Sequence, residues 1–105
     1  MNKSLKLLLL SASLFLSQLT YAICVQNNNS LNGLVGLDNS KGMVYATTTS
    51  STNECSCRHV RFREQNTDTK MALSILLSAK VTNQKVRIDL LDEGDCDSAY
   101  RVYLH

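Results

Sequence analysis

Four cysteines constrain what this 105-residue chain can fold into more than any other feature: Cys24, Cys55, Cys57 and Cys96. All four follow an N-terminal segment with the order of an export signal. Lys3 and Lys6 precede an apolar run from Leu7 to Leu16, then come Ser17 and Gln18, and Thr20-Tyr21-Ala22 ends on a small residue. That is a positive n-region, a short h-region and a cleavage site. The run is too short for a membrane span, which needs roughly 20 apolar residues. The expectation is a signal peptide over 1–22 and one domain over 23–105, secreted or periplasmic. Removing 22 of the 105 residues leaves 83, enough for one modest core that benefits from covalent support. An even cysteine count in such a product predicts two disulfides. Zinc is the competing use, but structural zinc sites favour closely spaced pairs such as C-x-x-C, and Cys55-Ser56-Cys57 has the wrong spacing.

Charge narrows the function classes. The chain holds 11 Lys and Arg against 9 Asp and Glu, and two of the lysines lie in the signal, so the remainder is formally neutral. Nucleic-acid binding loses its usual electrostatic footprint, and adhesion to an anionic membrane gains no support.

Hydrophobic periodicity orders the elements. Val25–Ser30 reads as a polar, asparagine-rich lead-in. Leu31–Leu37 alternates around Gly33 and Gly36, and Asp38–Gly42 has turn composition. Met43–Thr49 is β-branched and aromatic, with Val44, Ala46 and Thr48 on one face, and Ser50–Glu54 reads as a polar loop. In Cys57–Glu64, Val60 and Phe62 oppose His59, Arg61 and Arg63. The period then changes: Met71, Ala72, Ile75, Leu76 and Ala79 predict a helix over 67–81, capped by Asn66 or Thr67 and ended by Asn83. Asp68 suits the positive end of its dipole. Val86, Ile88 and Leu90 make the next strand face, and Tyr100, Val102 and Leu104 the last one, opposite Arg101 and Tyr103.

The order β-β-β-α-β-β predicts an α+β, mainly β fold: a five-stranded OB-fold-like barrel with one helix between strands 3 and 4. The alternative is a plain α+β sandwich with the helix on one face. In the OB arrangement strands 3 and 5 run parallel, strand 4 runs against strand 1, and the four cysteines gather at one pole. Disulfides need Cα atoms within about 7 Å, so Cys24 is expected to pair with Cys55 or Cys57, and Cys96 with the other.

The segment Met71–Leu90, with ALSILLSAKVTNQKVRIDL from Ala72, is an apolar helix, a polar turn and a Val-Arg-Ile strand. In that segment and in element order the chain resembles the B subunits of bacterial A–B toxins, those of subtilase cytotoxin and typhoid toxin above all. The resemblance implies a ring-forming, non-enzymatic homo-oligomer that binds a host glycan or glycoprotein beside a toxin A subunit. Apart from the resemblance, the helix is apolar nearly all round, since Leu73, Leu77 and Val81 widen its stripe, and a second apolar face suggests a second partner.

No catalytic motif emerges. His59 and His105 have no nucleophile or carboxylate at motif spacing, and Asp92–Asp97 lacks the length and late Glu of a calcium loop. Asn28-Asn29-Ser30 matches the N-glycosylation pattern without further support. No cofactor is implied. The best candidate surface is the His59/Arg61/Arg63 face, where the guanidinium of Arg61 can pair a carboxylate and Tyr45 and Tyr103 can stack on sugar rings. Against it stands a solvated strand face in which these charges pair with Asp89 or Glu64. The alternative function is a small exported protein that binds and inhibits another protein.

Overall fold

A computed structural model describes residues 22–39, 42–49 and 55–105. The expected signal over 1–22 lies outside them except for Ala22, whose carbonyl accepts from the Glu93 N–H at 2.9 Å. The expected loop residues 50–54 also lie outside. Among the described residues the architecture is mainly β with one helix: β1 (Cys24–Asn29), β2 (Val35–Leu37), β3 (Val44–Thr47), β4 (His59–Phe62), α1 (Thr69–Thr82), β5 (Val86–Leu90) and β6 (Ala99–Leu104).

The strands form one sheet in the order β1-β5-β6-β4-β3-β2. Among the described residues it has six strands rather than the five expected, and it is open, with β1 and β2 as its edges. The parallel pair expected between the third and last strands is present as β4 with β6, at Phe62 and Ala99. The strand that runs antiparallel to β5 is Cys24–Asn29, the segment read from sequence as a lead-in, and not 31–37.

That misreading has a physical cause. Gln26 and Asn29 are polar but fully buried, and they hydrogen-bond to each other and to the backbone of Cys57 and Val86. The Gln26 carboxamide oxygen accepts from the Cys57 N–H at 3.0 Å, and its Nε2 lies 2.9 Å from the Cys57 carbonyl. Asn29 Nδ2 donates to the carbonyls of Gln26 and Val86 at 2.7 and 3.0 Å. Thr48 Oγ1 donates to Cys57 O at 2.6 Å. Each buried polar group left unpaired would cost about 1–3 kcal/mol, so the cluster fixes how β1 meets the Cys57 segment. A bulge in β1 between Gln26 and Asn29, with Asn28 at φ 55°, brings both side chains inward.

Both disulfides form, Cys24–Cys55 and Cys57–Cys96, with Cα separations of 5.7 and 5.8 Å. Ser56, at φ 55°, turns the chain between two cysteines that go to different partners. The bridges span 31 and 39 residues, and loops of that length are stabilised by roughly 3–4 kcal/mol each on the chain-entropy account.

The core joins Val44, Ala46, Val60 and Phe62 of β3 and β4 to Val86, Ile88 and Leu90 of β5. Helix α1 contributes Ala72, Leu76 and Ala79. Asp68, rather than Asn66 or Thr67, caps the helix: its Oδ1 accepts from the N–H groups of Lys70 and Met71 at 3.1 and 3.2 Å. Asn83 ends it in the left-handed region as expected, and the Gln84 N–H closes on Ala79 O at 2.9 Å. Lys80 Nζ reaches from the last turn to the carbonyls of Leu31 and Gly33, which ties α1 to the link between β1 and β2. Gly33 is required there, because a Cβ would fall 2.7 Å from the Thr47 side chain.

Candidate binding face

Alternation along β3 and β4 sends Val44, Ala46, Val60 and Phe62 inward and Tyr45 and Arg61 outward, where the register pairs the last two directly. Arg61 Cζ lies 5.0 Å from the centre of the Tyr45 ring, and the His59 ring stacks on the same tyrosine at 5.7 Å. Two of the three expected ligand-binding residues are therefore in contact.

The Arg61 guanidinium already has partners, and they are neither Asp89 nor Glu64. Nε meets Asp38 Oδ2 at 2.8 Å and Nη1 meets Asp97 Oδ1 at 3.1 Å, while Arg63 Nη2 approaches Asp97 Oδ2 at 3.4 Å. Hydrogen bonds from Asp38 first and Asp97 second push the Arg61 pKa above its ordinary value. Its side chain ties the turn after β2 to the loop before β6. The Arg61 N–H also donates to Cys96 O at 3.1 Å, beside the Cys57–Cys96 bridge.

Tyr103 stands elsewhere. β4 meets β6 at Phe62 and Ala99, and Tyr103 is four residues further along, roughly 13 Å at strand rise. It pairs across β5 with Arg87, whose Cζ lies 5.1 Å from its ring centre. Arg87 donates from Nε and Nη2 to the two oxygens of Asp89 at 2.9 and 3.1 Å. Arg101 Nε joins the same carboxylate at 3.2 Å. Asp89 is 0 % exposed, although it lies on the outer side of the sheet, because the two arginine side chains and their neighbours cover it. The hydrogen bond to Asp89 is the main cause raising the Arg87 pKa.

Tyr100 departs from the expected alternation. Asp89 pairs with Arg101 and Leu90 with Ala99, so Tyr100 is the extra residue of a bulge in β6. Neighbouring strand residues normally point to opposite faces, but a bulge re-aims one of them. Arg101 Cζ consequently sits 4.6 Å over the Tyr100 ring, and its Nη2 donates to the Tyr100 hydroxyl. Reading the sequence put Tyr100 on the core face with Val102 and Leu104; Leu104 is itself 46 % exposed. The cluster Arg87, Asp89, Tyr100 and Arg101 was missed. Its one signal in the sequence is the charged alternation of Val86–Leu90, whose meaning depends on the β5–β6 register.

The acidic turn forms its own local bonds. Asp92 Oδ1 accepts from the Gly94 N–H at 2.9 Å and Asp95 Oδ1 from the Asp97 N–H at 3.0 Å. Among the described residues, no group of three His, Cys, Asp or Glu side chains is placed to hold a metal ion, and no helix is long and apolar enough to cross a membrane. Comparison with family models, with curated proteins and with solved structures finds no match for this chain.

Proposed function

We propose that the chain is an exported, non-enzymatic binding subunit, similar to the B subunits of A–B toxins, that recognises a host glycan or receptor as an oligomer. The observation that carries the reading is the outer face of β5 and β6. There two guanidiniums share one buried carboxylate, and each lies against a tyrosine ring. Donors held in place beside aromatic faces suit a polar ring-shaped ligand, because little side-chain freedom is lost on binding.

The sheet order supports an OB-like reading. Taken as two halves of one bent first strand, β1 and β2 make the order 1-4-5-3-2-1, that of a five-stranded barrel. The bridge between Ser30 and Thr49 lies near that seam, with Ser30 N to Thr49 O at 3.0 Å. Support for assembly comes from exposed apolar side chains on α1 and at β2: Met71 at 62 %, Val81 at 85 % and Leu37 at 64 %. On this reading Tyr45 and Tyr103 are stacking platforms, Arg61 braces the face, and an enzymatic A subunit is the partner.

A glycan array probed with the purified protein, with native mass spectrometry alongside, tests the proposal. The expected result is selective binding to a subset of glycans by a closed oligomer. A monomer that binds no glycan and no cell-surface glycoprotein would sink it and favour the inhibitor reading.

A further inference from the structure

A cavity of about 220 Å³ opens between α1 and β6, next to the Arg87–Arg101 cluster. Its apolar walls include Met71 and Ile75 from the helix, and Tyr100, Arg101 and Tyr103 line it from the strand. It is smaller than the roughly 300–1,000 Å³ typical of sites for drug-sized ligands, which limits an occupant to about one ring.

The polar groups define what kind of ring. Arg101 is held by Asp89 through Nε and by the Tyr100 hydroxyl through Nη2, and its Nη1 has no partner among the described residues. From the helix side Asp68 lines the same cavity. Its Oδ1 caps the helix, and its Oδ2 has no partner among the described residues. Arg87 and Arg101 less Asp89 leave one positive charge, and Asp68 balances it, so the site is formally neutral. Because both residues line one cavity, an anion there would meet Asp68 as well as Arg101, and a cation Arg101 as well as Asp68. A pair of neighbouring hydroxyls meets both demands, since one donates to the carboxylate while the other accepts from the guanidinium. The tyrosine rings and Met71 then suit the apolar face of a sugar ring.

Resting on the glycan-binding reading, we infer that this cavity binds an uncharged pyranose unit with vicinal hydroxyls. The bulge in β6 brings Tyr100 and Arg101 together on its wall, because without the extra residue they would point to opposite faces.

NMR titration of the purified protein with glucose, galactose, mannose and glucuronate tests the inference. At least one of the three neutral sugars is expected to saturate with a millimolar Kd, with amide shifts centred on Met71, Ile75 and Tyr100–Tyr103. Glucuronate should bind more weakly. Arg101→Gln should weaken the neutral sugar by about tenfold, the loss expected for one charge-assisted hydrogen bond. If that variant fails to fold, Tyr103→Leu, at an exposed ring, serves in its place with the same expected direction. The inference is overturned if no neutral sugar saturates, if the shifts lie on another face, or if glucuronate binds as tightly as the best neutral sugar. A glycan-array ligand whose binding survives both substitutions would uphold the proposed function and overturn this site alone.

Discussion

The two arginine clusters on the outer face differ in stoichiometry. Around Asp97, two arginines meet two carboxylates, Arg61 and Arg63 with Asp38 and Asp97. Around Asp89, two arginines share one carboxylate. The first set is balanced, and it links the turn after β2 to the loop before β6. The second comes entirely from paired strands, and it keeps guanidinium donors facing solvent. An arginine on an outer strand face is therefore not by itself a ligand contact: the number of carboxylates within reach decides whether it braces the fold or stays available. The carboxylates also differ in burial. Asp97 has a side-chain exposure of 31 % and Asp89 of 0 %, so removing them should have unequal consequences.

The largest expected effect breaks the support of the first cluster. Replacing Cys57 and Cys96 together by Ser removes the bridge beside Asp97. A stabilisation of roughly 3–4 kcal/mol is lost with it, and for a domain of this size Tm should fall by roughly 15–20 °C in scanning calorimetry. A fall of only a few degrees would mean that the Gln26 network, not the bridge, holds this pole.

Asp89→Asn comes next. It leaves two guanidiniums side by side without their shared charge, and loss of one partner from a buried charge cluster is strongly destabilising. Because both guanidiniums reach solvent, the expected fall in Tm is about 10 °C. Reversible thermal melts followed by circular dichroism would check it, and an unchanged Tm would show that the pair separates freely into water.

Asp97→Asn should have the smallest effect, less than about 4 °C, since partly exposed ion pairs contribute little. The same melts compare it with Asp89→Asn. Equal losses in the two variants would erase the distinction between the clusters.

Much of this protein follows from local sequence. Alternation in Val86–Leu90 and in His59–Phe62, the period change at Met71 and the left-handed Asn83 are set by nearest-neighbour sterics and by which side chains prefer to leave water. Cysteine parity was enough to expect two disulfides, and Tyr45 beside Arg61 followed from strand alternation on two neighbouring strands. Which cysteines pair was settled only by the tertiary structure, which sets Cys24 beside Cys55 and Cys57 beside Cys96. The burial of Gln26 and Asn29 was invisible too, because a polar residue goes inside only when distant backbone, here Cys57 and Val86, offers it hydrogen bonds. Tyr103 left the Arg61 site, and Tyr100 gained Arg101, for a related reason. The β5–β6 register and its one extra residue are properties of two strands brought together, and no single strand carries that information.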